Sequence, residues 1–297
     1  MAVDIVTPQN PIDLYPGPPF KPQQQNVPGD FTQMDPVPDP GEESYVGHGR
    51  LLNRKALITG GDSGIGRAVA IAFAREGADV ALNYLESEQN QIESTRDLVE
   101  GAGRKAVLLP GDLSDEAFAT QLVEDAVTGL GGLDIIVNIA GVMPTITSIE
   151  DFDTATFDHV LRTNVHAMFW TLKAAIKHLQ PGASIVNTSS IQGFQPTPDL
   201  VEYAISKGAI IQFTRGMAQQ LAERGIRVNA VAPGPFWTPL QPSSVPNEKI
   251  ESFGSESVYG RPGQPAELAS TYVYLASQES SYTSGETVAV TGGRPAH

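Results

Sequence analysis

The sequence contains no cysteine, which removes disulfides, zinc–thiolate centres and iron–sulfur clusters and suits a reducing compartment. Positive charge is scarce: 19 Lys and Arg stand against 34 Asp and Glu, for a net charge of −15. Nucleic acid is held largely by neutralising phosphates with Lys and Arg, so this balance argues against a nucleic-acid partner. No apolar run approaches the roughly 18 residues of a transmembrane helix. The opening Met1-Ala-Val-Asp-Ile-Val lacks the basic region and apolar core of a signal peptide. A cytoplasmic protein with no membrane contact is therefore expected. Metal-ligand spacings such as His-Glu-x-x-His are missing as well. His159, His166 and His178 fall on predicted helix and read as structural or solvated, so no metal site is expected.

What is present is unevenly spread. Residues 1–40 hold 10 of the 23 prolines, together with the polar run Gln23-Gln24-Gln25. Proline fixes φ and lacks an N–H donor, so this stretch forms neither a helix nor a central strand. It is either a disordered tail or an extended arm laid over the body or a neighbouring subunit. Tyr15, Phe20, Phe31 and Tyr45 would anchor such an arm, and purely solvating tails rarely carry so many aromatics. Residues 1–48 thus read as an N-terminal extension. Residues 49–297 read as one domain, large enough to bury a core without covalent help.

From Lys55 onward short apolar runs alternate with amphipathic stretches, the pattern of repeated βα units. Strands are predicted at Lys55–Thr59, Val80–Tyr84, Ala106–Leu109, Ile135–Ile139, Ser184–Thr188, Arg227–Ala232 and Thr287–Val290. Helices are predicted near Gly64–Glu76, Ser87–Gly101, Asp115–Gly129, Asp153–His178, Val201–Glu223 and Pro265–Ser277. Short runs rich in Val and Ile suit strands buried on both faces. Seven of them imply a doubly wound parallel sheet with helices on both faces. Ligands are then expected at the carboxyl ends of the strands, near the point where the strand order reverses.

The segment Lys55-Ala-Leu-Ile-Thr-Gly-Gly-Asp-Ser-Gly-Ile-Gly66 reads as strand, glycine-rich turn and helix start. Gly60 suits the tight turn, Gly64 lets backbone approach a diphosphate, and Gly66 permits close helix–strand packing. The helix start offers free N–H groups and a positive dipole end to phosphates. Glycines also serve ordinary turns; it is the position after the first strand of a βα chain that points to a nucleotide.

The Gly-xxx-Gly-x-Gly spacing, taken with the motifs below, resembles the short-chain dehydrogenase/reductase family from roughly Leu51 to Gly292-Gly293. The resemblance implies a Rossmann-type fold and an NAD or NADP cofactor. It implies contacts to that cofactor from Gly60, Asp62, Ser63, Gly64, Ile65 and Gly66. Asp112 and Leu113, in Pro110-Gly-Asp-Leu, match the adenine-binding place. Asn138-Ile-Ala-Gly141 matches the family's Asn-Asn-Ala-Gly, with Ile139 in place of the second Asn, and brings in Asn138, Ala140 and Gly141. Pro233-Gly-Pro-Phe-Trp-Thr238 looks like the Pro-Gly motif after the sixth strand, where Pro233, Gly234, Phe236 and Thr238 would meet the cofactor. The place where family members carry a ribose-binding acid falls on Tyr84 and Leu85. No acid there excludes a 2′-phosphate, no Lys or Arg welcomes one, and Glu86 and Glu88 would repel it. NAD versus NADP stays open at this point.

Tyr203 and Lys207 stand at i and i+4, on one helical face. Such pairs are common on exposed helices, but Ser190 precedes Tyr203 at the end of a predicted buried strand, and Asn164 lies in the preceding helix. In the resemblance these four form the Asn–Ser–Tyr–Lys tetrad. Tyr203 is then the acid/base, and Lys207 binds the nicotinamide ribose and favours the phenolate. Ser190 holds the reacting oxygen, and Asn164 holds a proton-relaying water. Reducing a carbonyl needs a proton on oxygen in near-attack geometry, and a free phenol with a pKa of about 10 is poorly matched to that. A nearby ammonium is expected to bring it down. Strand alternation turns the adjacent Ser189 to the other face.

Between Thr238 and Arg261 a Ser-, Pro- and Gly-rich stretch reads as a mobile lid. Phe236, Trp237, Leu240, Ile250 and Phe253 are expected on one substrate wall, and Gln192, Phe194 and Gln195 on the other. The proline-rich arm, Gly41-Glu-Glu-Ser-Tyr45, Thr59-Gly-Gly-Asp-Ser-Gly64 and Arg261-Pro-Gly-Gln-Pro265 resemble the glucose/ribitol-dehydrogenase-like, or general-stress, subgroup. That implies a small aldehyde, ketone, sugar or polyol as partner, and a homotetramer built through the long helices and the last strand. The rival reading is a non-catalytic dinucleotide sensor or scaffold, which would keep the glycine turn and could lose the tetrad.

Overall fold

The computed structural model describes residues 7–296. Seven strands form one all-parallel sheet: β1 Lys55–Thr59, β2 Asp79–Tyr84, β3 Ala106–Pro110, β4 Ile135–Asn138, β5 Ser184–Thr188, β6 Arg227–Pro233 and β7 Thr287–Val290. Their order is β3-β2-β1-β4-β5-β6-β7, which reverses between β1 and β4. The long helices are α1 Gly64–Arg75, α2 Gln89–Gly101, α3 Glu116–Leu130, α4 Thr154–Leu161, α5 Ala167–Ala175, α6 Val201–Leu221 and, last in the chain, α9 Pro265–Ala276.

Strand alternation builds two cores. Ala56 and Ile58 of β1 pack with Phe73 of α1, Ile92 of α2 and Leu268 of α9. Leu57, between them, points the other way, into a core with Leu122 of α3, Leu172 of α5 and Leu221 of α6. Helix starts are fixed by side chains: Asp115 accepts from Ala117 N at 2.8 Å and Asp153 from Thr156 N at 2.8 Å. Each satisfies a backbone donor that the first turn leaves unpaired.

Two elements differ from the sequence reading. The helix expected over Asp153–His178 is interrupted by a π-helical segment, Arg162–His166, between α4 and α5. Such bulges favour functional positions, and Asn164 sits inside this one. The stretch expected to be loop, Thr238 to Arg261, carries two short helices, α7 Leu240–Ser244 and α8 Asn247–Ile250. The reason is packing: Ile250 and Trp237 are fully buried there, in a small third core with Phe20 and Met34.

That third core fixes the form of the proline-rich segment. Residues 7–48 lie along the body as an extended arm. The Phe20 ring stacks on Trp237 at 4.3 Å, and Trp237 Nε1 donates to Pro36 O at 2.7 Å. Arg261 donates to Pro11 O at 2.8 Å, and Asp39 and Gln264 share a hydrogen bond of 2.9 Å. At its end the arm is held by Glu76, which accepts from Tyr45 Oη at 2.7 Å and from Arg50 Nη2 at 2.7 Å. Burial alone would raise the Glu76 carboxyl, but the Arg50 guanidinium and the converging N–H donors bring it down to about 2.

Candidate active site

A cleft of about 820 Å3 opens at the carboxyl edge of the sheet, where the strand order reverses. Its floor is the turn from β1 into α1. Gly60 and Gly64 take φ of +67° and +50°, the left-handed region that favours glycine. A Cβ on Gly66 would fall 1.7 Å from Gly60 O, so no side chain fits where the helix crosses the strand end. Asp62, Ser63 and Ile65 complete this floor, and Tyr84, Leu85, Asp112 and Leu113 line the lip beside it. Ala140 and Gly141 follow β4, Pro233 ends β6, and Gly234, Phe236 and Thr238 come after it; all line the cleft. A dinucleotide fits such a cradle: bare backbone and a helix start for the diphosphate, flanked by two lips.

Asn138 is placed differently. Its Nδ2 donates to Asn187 Oδ1 at 2.9 Å and its Oδ1 accepts from Thr171 Oγ1 at 3.3 Å, which turns it into the helix layer and off the cleft wall. The strand end is steadied instead by the Thr59 hydroxyl, which accepts from Ile139 N at 2.9 Å and Ala140 N at 3.2 Å.

Ser190, Tyr203 and Lys207 line the cleft together. β5 delivers Ser190 to the sheet edge, and α6 presents Tyr203 and Lys207 one turn apart, with Lys207 Nζ 5.3 Å from the Tyr203 ring centre. Lys207 Nζ donates to Thr188 O at 2.8 Å, and Ser190 Oγ accepts from Gln192 N at 3.1 Å. Ser189 is only 1% exposed and spends its hydroxyl on Lys207 O, at 2.8 Å. Asn164 stands behind this group. Its Oδ1 accepts from Val142 N at 2.8 Å, and its Nδ2 donates to Val142 O and Ser206 Oγ, both at 3.0 Å. The side chain is thus committed to fixing the loop after β4 and the start of α6.

Burial sets the proton affinities at both ends of the cleft. It pushes the Tyr203 phenol up to about 12, against the opposing pull of a hydrogen bond with Ser190. It brings the Lys207 ammonium down to about 8. The phenol therefore lies above an ordinary tyrosine, not below it: burial outweighs the hydrogen bond with Ser190. At the other end Asp62 and Glu88 face each other. Burial raises both carboxyls, and the Asp62 charge adds to the rise of Glu88, which reaches about 7. Glu88 also accepts from Leu85 N at 3.0 Å. Arg67 lies close by, but its guanidinium is turned onto Glu42, Ser94 and Thr95 and is 3% exposed.

The substrate walls are rearranged relative to the sequence reading. Phe236 and Leu240 line the cleft, whereas Trp237, Ile250 and Phe253 turn under it to receive the arm. Gln192 folds back, its Oε1 accepting from Thr197 N at 2.8 Å, and Gln195 reaches Pro295 O at 2.8 Å. Their places are taken by Val142, Met143, Pro144, His159 and Val160. His159, read from the sequence as structural or solvated, thus borders the cleft; the break between α4 and α5 gave no period from which to foresee it. Val27, Pro28 and Gly29 of the arm line the cleft as well, and their proline-rich context carried no such signal.

The chain belongs to the short-chain dehydrogenase/reductase family: residues 60–294 match a family model described as enoyl-(acyl carrier protein) reductase. It is accordingly an oxidoreductase that uses NAD or NADP. Among its relatives, the uncharacterized oxidoreductase YghA of Escherichia coli is 56% identical over 91% of this chain and 92% of its own. The glucose and ribitol dehydrogenase of Daucus carota is 40% identical over 92% of this chain and 96% of its own. A short-chain dehydrogenase from Burkholderia cenocepacia, solved in complex with NADP, superposes with a TM-score of 0.77 at 33% identity, covering 82% of this chain and 98% of that one.

Proposed function

We propose that this chain passes hydride between NAD(P)(H) and the carbonyl or alcohol carbon of a small aldehyde, ketone, sugar or polyol, in a catalytic domain of residues 49–297. The observation that carries the reading is the meeting of Ser190, Tyr203 and Lys207 on one wall of a cleft floored by the glycine turn. When bound, the nicotinamide supplies or accepts the hydride. The chain's own groups handle orientation and the proton. Ser190 and the Tyr203 phenol converge where a substrate oxygen would sit. Held protonated by burial, Tyr203 gives its proton to that oxygen in the reductive direction. Lys207, brought down to about 8, returns a proton to the phenolate it stabilises. Asn164 keeps the loop after β4 and the start of α6 in register around them, and the Pro-Gly turn and α7 help exclude water.

Replacing Tyr203→Phe tests the assignment. The expected result is a drop in kcat of at least about a thousandfold, or roughly 4 kcal/mol in barrier, with dinucleotide affinity within about threefold of wild type by calorimetry. Retention of more than about a tenth of kcat would overturn it. A wild-type chain that binds dinucleotide yet turns over no aldehyde, ketose or polyol would be a sensor instead.

The reading extends to a cytoplasmic homotetramer. Phe169 on α5 and Ile205 on α6 are 45% and 47% exposed, apolar surface that a second copy would cover. β7 ends the sheet and leaves one hydrogen-bonding edge open. Light scattering should return four times the chain mass of 31.6 kDa; a monomer's mass counts against this assembly.

A further inference from the structure

The arm does more than lie on the surface. Between Gln25 and Phe31 it crosses the mouth of the cleft and is fastened on both sides. On the α2 side, Gln91 grips it twice: Nε2 donates to Gly29 O, and Oε1 accepts from Phe31 N, both at 3.3 Å. On the α7 side, Gln25 N donates to Pro242 O at 2.9 Å. Gly29 meets Pro239 so closely that a Cβ there would fall 2.5 Å from Pro239 O. Pro239 directly follows Thr238, whose side chain lies 3.1 Å from where a Cβ on Gly64 would stand. The crossing segment therefore spans from one lip to the other directly above the glycine turn. Its far end is pinned to α1 itself, since the Arg67 guanidinium sits 4.7 Å above the Phe31 ring.

We propose that Val27-Pro28-Gly29 is a strap forming part of the dinucleotide site, so that docking of the arm and binding of the cofactor strengthen each other. This rests on the reading of the cleft as that site. Two linked equilibria that share a surface must be reciprocal: if the docked strap improves the site, bound dinucleotide holds the strap down by the same factor. Val27 and Pro28 offer apolar surface that excludes water from above the diphosphate cradle. The Burkholderia neighbour, solved in complex with NADP, is covered over 98% of its length by 82% of this chain, which leaves part of this chain with no counterpart there. The YghA relative, matched over 91% of this chain, extends into the arm. The strap acts on affinity and residence time.

The test uses the full chain with NADH and NADPH as separate probes. Hydrogen exchange at the Gln25 and Phe31 amides, the two backbone donors of the fastening, should slow at least about threefold on saturation with dinucleotide. Gly29→Leu, which forces the strap away from Pro239, should weaken binding about tenfold by calorimetry and speed dissociation. Gln91→Ala removes both hydrogen bonds from a partly exposed surface side chain without burdening the fold, and should weaken binding severalfold in the same sense. Unchanged exchange on binding, or wild-type affinity in both variants, would make the strap a bystander and overturn the proposal. A wild-type chain that binds neither dinucleotide would instead remove the reading of the cleft on which it stands.

Discussion

The two ends of the cleft bury ionisable pairs of opposite character. At the reaction end a phenol and an ammonium sit side by side. Burial raises one to about 12 and lowers the other to about 8, so each is pushed toward its neutral form. At the nucleotide end two carboxyls share a space: burial raises both, and the Asp62 charge adds to the rise of Glu88, which reaches about 7. Neutrality is favoured in both places, but the proton count goes opposite ways: the lysine loses protons on folding and the carboxyls gain them. An active site of this kind stores cost in charges that the empty protein does not want.

The larger test of that contrast is Lys207→Met. Below about pH 8 the folded chain carries a buried ammonium that the unfolded chain keeps in water, with its ordinary value of 10.5. Between those values the unfolded state binds the extra proton, so wild-type stability rises with pH across the window and the full cost is present below it. Methionine fills the space without the charge, though it gives up the bond to Thr188 O. The variant is expected to be more stable than wild type by about 1–3 kcal/mol at pH 7, while losing nearly all turnover. The gain should shrink to nothing or reverse above about pH 10.5. Denaturant titrations at pH 7 and near 10.5 check it, and equal stability at pH 7 breaks the contrast.

How much of this was open to sequence reasoning follows the same division. The strands were legible because each is a short Val- and Ile-rich run bounded by turns, and Asp79–Tyr84 and Ser184–Thr188 lie where those runs lie. The glycine turn was legible because close approach leaves room only for glycine. Tyr203 and Lys207 could be paired because one helical turn is a local distance. Contacts between segments far apart in the chain could not be read. Trp237 looked like a substrate wall because its partner, Phe20, lies more than two hundred positions away and no pattern links them. The π-helical segment around Asn164 was hidden because Arg162-Thr-Asn-Val-His166 holds no glycine or proline to mark an interruption. Asn138 faces inward because Asn187, its partner on the neighbouring strand, stands in register with it.

The smaller test sits at the nucleotide end and should run in the opposite pH window. Glu88 is raised from 4.5 to about 7, so between those values the folded chain binds more protons than the unfolded one. Wild-type stability therefore falls as pH rises through the window, and the cost is fully present above about pH 7. Glu88→Gln keeps an oxygen for Leu85 N and removes the second carboxyl. Glu88 is only partly buried, and solvent screening trims the effect, so a gain of about 1 kcal/mol above pH 7 is expected. It should vanish below about pH 4.5, where both chains are uncharged at this position. Thermal unfolding of wild type and variant at pH 4.5 and 8 reads the difference directly. A gain that persists unchanged at pH 4.5 would mean that packing, and not the charge facing Asp62, is what the substitution relieves.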